Sequence, residues 1–255
     1  MRLDLNSDLG EAFGSYKLGM DEEIIRHVSS INMACGWHAG DPMVMEKTTV
    51  LCKNAGVAIG AHPGYPDLMG FGRHQMKISF EEAKAYTKYQ LGALMAFTAS
   101  HGMKVQHMKP HGAFGNLANK DETMARAICE AVKEVDPEII ILGYANCIFN
   151  QVAESMGLRY ANEVYADRAY NDDYTLVARG TPGAMIEDPQ VAAQRVIRMV
   201  KEKKVTSISG KELDISVHSV CVHGDTPSAV KIVKDLRALL ESEGIEICNI
   251  QTVLA

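Results

Sequence analysis

Four histidines stand beside glycine or proline in four separate stretches: His38 in NMACGWHAGD, His62 in GAHPGYPD, His111 in KPHG and His223 in CVHGD. Imidazoles gathered in this way can bind a divalent cation together with a carboxylate, or pass protons near neutral pH. Carboxylates are offered by the first motif of the chain, Asp4-Leu5-Asn6-Ser7-Asp8-Leu9-Gly10-Glu11. Alternate side chains of a strand share a face, so Asp4, Asn6 and Asp8 would enter one interior or its mouth, where oxygens are costly unless cations or donors meet them. Lys109, beside Pro110, can stabilise developing negative charge, and Arg73, at the end of the glycine-rich run Met69–His74, can grip a carboxylate or phosphate with two parallel bonds. An acidic and basic loop, Glu163 to Asp173, carries Asp167 and Arg168. Blander readings compete with each: solvated acids on an edge strand, surface ion pairs, structural histidines. No HExxH spacing is present, so the metal and proton-transfer readings stay open together. His27, His74, His101, His107 and His218 are read as surface or packing residues.

Such residues need a scaffold that brings distant stretches together. Leu3–Leu5, Ile31–Met33, Val57–Ile59, Val105–Met108, Ile139–Leu142, Arg159–Ala161 and Ile215–Val222 read as strands. Helical patterns fill the intervals. Phe80 to His101 opens with Ser79 and Glu82 in capping-box register, and Asp121 to Val135 is strongly amphipathic. Asp41-Pro42, Asp188-Pro189 and Thr226-Pro227 mark three further helix starts, since the fixed φ of proline suits the first helical position. Alternation of strand and helix predicts a parallel sheet, closed as a barrel or open and doubly wound. Polar motifs follow nearly every strand, which favours the barrel, whose βα loops meet at one mouth. An open sheet should carry a glycine-rich phosphate turn after its first strand, and no GxGxxG occurs.

Composition removes other classes. With 255 residues, 47% of them apolar, the chain can bury one large core, and nothing in it reads as a linker, so one domain over 1–255 is expected. No apolar run approaches a bilayer span and the N-terminus lacks a signal-peptide order, which predicts a cytoplasmic protein with no membrane partner. A net charge of −6 without a long basic run argues against nucleic acid. The basic cluster Lys201–Lys204 follows a helical run and reads as a solvated helix end. Six cysteines, none in a CxxC pair, read as buried or site-lining thiols.

Taken together, DLNSDLGE, NMACGWHAGD, GAHPGYPD with GFGRH, KPHGAFGN, EVYADRAYNDD and CVHGD resemble, in order, the motif blocks of the LamB/YcsF family over residues 4–225. That resemblance implies an α/β fold, an irregular seven-stranded β/α barrel of TIM-barrel type related to glycoside hydrolases and polysaccharide deacetylases. It also implies an ATP-dependent activity opening the lactam of 5-oxoproline to L-glutamate, with ATP as co-substrate and two partner subunits, B and C. Asp8, His38, His62 and Lys109 are then the candidate catalytic groups. Asn6, Glu11, Asn32, Cys35, Arg73, His111, Asp167, Arg168, His223 and Asp225 are candidate substrate ligands, and Asp8, His38 and His62 would hold a divalent metal if one binds. His74 stands where the family often has a second arginine. Two rivals remain, a stand-alone metal-dependent amide or deacetylase-type hydrolase and a non-catalytic component that binds a metabolite.

Overall fold

Alternating strands and helices wind this chain into a closed barrel, and the computed structural model describes residues 1–178, 180–186, 188–222 and 227–255. In chain order its elements are β1 (Arg2–Leu9), α1 (Asp21–Ile24), β2 (Ser30–Ala34), α2 (Pro42–Ala55), β3 (Ala58–His62), α3 (Phe80–Ser100), β4 (Val105–Met108), α4 (Gly112–Ala118), α5 (Glu122–Val135) and β5 (Ile140–Tyr144). There follow α6 (Ile148–Ser155), β6 (Tyr160–Tyr165), α7 (Pro189–Glu202), β7 (Lys204–Thr206), β8 (Glu212–Asp214), β9 (Ser219–Cys221), α8 (Pro227–Ser242), β10 (Glu246–Ile247) and α9 (Ile250–Val253). Strands β1 to β6 pair in sequence and in parallel, and β9 lies between β6 and β1 to close a seven-stranded ring. The expected α/β barrel is therefore the fold. β7 and β8 form a small antiparallel ribbon outside it.

Local chemistry explains the helix starts. Ser79 and Glu82 form the reciprocal capping box, and Asp41, Asp121 and Asp188 each accept two backbone N–H groups at the start of α2, α5 and α7. α5 buries Met124, Ala125, Ile128, Cys129 and Val132 on one stripe against the barrel, the spacing of a helix with one core-facing side. Thr226 lies outside the described residues, and α8 runs from Pro227. Among the described residues no helix is long and apolar enough to cross a membrane.

Three strands differ from the sequence reading, two of them by running further than their apolar part and one by being shorter. β1 continues past its apolar start through Asn6, Ser7 and Asp8, as their alternation implies, and β6 continues through Glu163 and Tyr165, which the sequence reading assigns to the start of a loop. The last barrel strand is only Ser219–Cys221. Barrel strands are covered on both faces, and here the inner face turns polar near the mouth, so hydrophobicity stops marking the strand where the site begins. The sheet is also irregular: pairing between β3 and β4 shifts at Ile59/Gly60. A side chain at Gly60 would place its Cβ 2.1 Å from Nε2 of His107, so glycine is what admits that ring to the interior. His107 is accordingly fully buried within the barrel, joined to the site's supporting network.

Candidate active site

Asp4, Asn6 and Asp8 do share the inner face of β1, and each is met by partners from neighbouring strands. Asp4 accepts hydrogen bonds from the hydroxyls of Ser29, Ser30 and Ser219. Burial, opposed by those hydroxyls, raises its carboxyl to about 6. Asn6 donates to Glu163 Oε1 at 3.0 Å and to Ser219 Oγ at 2.6 Å, and accepts from Asn32 Nδ2 at 2.7 Å. Asn32 Nδ2 also reaches Asp8 Oδ1 at 2.8 Å. With its amide nitrogen so engaged, Asn32 presents its oxygen to His107 Nε2 at 2.8 Å, which assigns the proton of that imidazole to Nε2. Burial, then Lys109, lowers His107 to about 3, so it is a neutral donor.

Above this buried layer sits Lys109. Its Nζ lies 3.0 Å from Asp8 Oδ1, 2.9 Å from Glu163 Oε1 and 3.4 Å from Cys221 Sγ, with the Tyr165 ring centroid at 5.3 Å. Burial alone would depress the ammonium, but the two carboxylates outweigh it and hold Lys109 well above its ordinary value. Tyr165 Oη donates to the other oxygen of Glu163 at 2.7 Å. Burial pushes the Tyr165 phenol and the Cys221 thiol well above their ordinary values, so both stay neutral.

His62 ends β3 and is aimed by the backbone. Its Nδ1 donates to the Lys109 carbonyl at 2.7 Å, which turns Nε2 toward Asp8 Oδ2 at 3.5 Å and toward His111 Nδ1 at 3.0 Å. His111 is aimed in the same way, its Nε2 donating to the Phe71 carbonyl at 2.8 Å. His38 stacks face to face on His111 with ring centroids 3.7 Å apart, and its Nε2 stands 3.7 Å from Glu11 Oε1. Gly72, with φ +64°, carries the chain over this stack, where any Cβ would fall 2.7 Å from Cβ of His38. Burial, then His111 and His62, holds His38 well below its ordinary value, and burial lowers His111 to about 3.

A cavity of about 580 Å³ opens above these groups, within the roughly 300–1,000 Å³ usual for small-molecule sites. Asp8, Glu11, His62, Lys109 and His111 form its inner end; Arg73, Tyr144, Tyr165 and Arg168 line its walls. Arg73 is exposed and lies over the Phe71 ring, whereas Arg168 is buried and donates to the Val177 carbonyl. Of the remaining residues singled out in the sequence, Asn6 and Asn32 lie beneath the cavity and Cys35 is buried with its thiol on the Met33 carbonyl. Asp167 is half-buried in the loop after β6 and does not line the cavity, and His223 and Asp225 lie outside the described residues. Glu163, Tyr165 and His107 were not among the sequence candidates. Glu163 was visible only as one acid of a supposed loop, and nothing local distinguishes His107. In chemical terms, the inner end offers a carboxylate and an imidazole 3.5 Å apart beside a fixed cation, a set suited to activating water against an acyl-type carbon.

Comparison with known proteins follows the same outline. The family model described as the LamB/YcsF family matches residues 3–255. The chain is 59% identical over 253 residues to the A subunit of 5-oxoprolinase from Campylobacter jejuni subsp. jejuni strain 81116, covering 99% of both. It is 54% identical over 247 residues to that of Pyrococcus horikoshii, covering 97% of both. A crystal structure of a lactam utilization protein from Thermus thermophilus superposes with a TM-score of 0.93 at 42% identity, over 97% of this chain and 99% of that one. A family 4 carbohydrate esterase from Streptomyces lividans shares the fold at 9% identity and a TM-score of 0.52, over 98% of this chain and 94% of that one.

Proposed function

The chain belongs to the LamB/YcsF family, and from that membership we propose that it is the A subunit of an ATP-dependent 5-oxoprolinase, a hydrolase that opens 5-oxoproline to L-glutamate. The observation that carries this reading is the end-to-end likeness to chains named as the A subunit of 5-oxoprolinase, joined to a cavity whose inner end can activate water. An unstrained five-membered lactam is a poor electrophile, and ATP hydrolysis supplies the driving force that a bare hydrolytic site lacks. The sequence contains no GxxxxGK[ST] loop, so we assign phosphoryl transfer to the partner subunits, B and C. A reaction that consumes ATP also belongs where ATP is made available, in the cytoplasm.

In this reading the ring enters with its lactam oxygen phosphorylated. Asp8 or His62 takes a proton from water as the oxygen attacks the former carbonyl carbon. The C–N bond then opens as the ring nitrogen takes up a proton, leaving an acyl phosphate, and a second water attacks that carbon to release phosphate and complete the carboxylate of glutamate. Because Lys109 is shared between Asp8 and Glu163, its role is to fix the base and steady the charge near the reacting carbon. The Arg73 and Arg168 guanidiniums, on the cavity walls, are the better grips for phosphate and carboxylate. Reconstitution with candidate B and C subunits, following glutamate and phosphate released from 5-oxoproline and ATP, tests the assignment. Absence of turnover in that mixture, or ATP-independent amide hydrolysis by this chain alone, overturns it.

A further inference from the structure

The contact between His62 and His111 poses a valence problem. His62 spends its Nδ1 proton on the Lys109 carbonyl, and His111 spends its Nε2 proton on the Phe71 carbonyl. As neutral imidazoles, each then presents a bare lone pair to the other across 3.0 Å, from His62 Nε2 to His111 Nδ1. Two lone pairs facing one another at that distance repel unless a cation lies between or beside them. A ring nitrogen anchored to a backbone carbonyl while its partner nitrogen points inward is also the arrangement that orients metal-bound histidines.

Further donors gather at the same point. One ligand atom from each of Glu11, His38, His62 and His111 falls within a sphere where all lie no more than 4.8 Å apart. His38 is fully buried, and among the described residues neither of its ring nitrogens has a hydrogen-bond partner. A shared proton would explain the His62–His111 contact, yet it gives no reason for an unpaired imidazole and a carboxylate to crowd the same point.

We propose that His62 Nε2, His111 Nδ1 and a Glu11 carboxylate oxygen bind one divalent transition metal of the zinc class, with His38 in reserve as a fourth ligand, which leaves Asp8 and not His62 as the base that takes the proton from water. The donor set of nitrogen and oxygen suits zinc or cobalt and not magnesium or calcium, which prefer oxygen alone. Ligands at about 2.1 Å from an ion can be at most about 4.2 Å apart, so the cluster must close slightly on loading. His38 and His111 lie within 4° of parallel, and parallel rings at 3.7 Å cannot both aim in-plane lone pairs at one ion. His38 ligates only by turning out of the stack, which breaks no hydrogen bond among the described residues. Glu11, His62 and His111 all line the cavity, so the remaining coordination position faces the substrate space, as in a catalytic and not a structural site. The set differs from the candidates Asp8, His38 and His62 offered by the sequence, because the ligand atoms that converge belong to Glu11, His38, His62 and His111.

Metal content decides this without reference to turnover. The full-length protein, stripped with chelator and dialysed against zinc or cobalt(II), should retain one equivalent, and the cobalt form should absorb in the visible with the intensity of a four-coordinate site. Glu11→Gln, nearly isosteric, and His111→Ala should each lower affinity by more than the roughly 10- to 100-fold that an outer partner of a ligand is worth. Failure of the wild type to hold stoichiometric metal, or cobalt spectra and affinities unchanged in both variants, overturns the assignment. A protein that turns over 5-oxoproline in the reconstituted complex yet binds no metal refutes this inference alone. One that binds metal and shows no such turnover leaves it standing and refutes the functional reading.

Discussion

Lys109 is a fully engaged buried cation, and its removal separates structure from catalysis at the scale of one residue. Lys109→Met leaves Asp8 and Glu163 without their shared ammonium in a buried place, which should cost about 3–5 kcal/mol in urea unfolding. Lys109→Met with Glu163→Gln removes one of the stranded charges and should recover much of that stability. Turnover of the reconstituted complex should stay low in both. Recovery of turnover together with stability would make Lys109 a purely structural residue. Asp8→Asn, which keeps the shape of the side chain, should cut turnover on the order of 100- to 10,000-fold with little change in unfolding midpoint. Lys109 and Asp8 were legible because each sits in a compact polar motif at a strand end. Glu163 was not, because its meaning comes from an ammonium 54 positions earlier in the chain, and no local pattern encodes that distance.

At the scale of the element, helix ends were easy to read and strand ends were not. Ser79 and Glu82 announce a helix start through hydrogen bonds made within one turn, so the sequence contains the whole interaction. Ser79→Ala should therefore cost about 1 kcal/mol, measured by denaturant midpoint, with turnover unaffected. Strand ends in a barrel are defined by what faces them across the interior. The pairing shift at Ile59/Gly60 shows this, since it accompanies the entry of His107 from the next strand. Gly60→Ala should be destabilising by about 1–3 kcal/mol or more, because its Cβ meets the His107 ring at 2.1 Å. His107→Ala in that background should relieve part of the loss, so the double variant should be more stable than the sum of the single losses predicts. Strict additivity would mean that the ring and the glycine do not constrain each other.

For the whole molecule, the barrel was legible from the distribution of polar motifs over nearly every strand, but the charge state of its interior was not. Asp4 is the clearest case. Burial, against the pull of three serine hydroxyls, raises its carboxyl from an ordinary 3.8 to about 6. The folded protein thus keeps this proton in a range where the unfolded chain has already shed it. The stability that Asp4 contributes is full below about pH 4, falls as pH rises toward 6 and levels off above, a loss of about 3 kcal/mol for a shift of roughly two units. His38, His107 and His111 act in the opposite sense. Their folded forms resist protonation, so they take stability away as pH drops below their ordinary 6.5. The wild-type profile therefore mixes two trends, and Asp4→Asn isolates one of them. With unfolding free energies measured from pH 4 to pH 7, the wild type should lose about 2 kcal/mol relative to Asp4→Asn across the window, most of the full span. Because the imidazoles are common to both proteins, their contribution cancels in that difference. Parallel profiles would mean that Asp4 is ionised in the folded barrel throughout, held by its serines against the cost of burial.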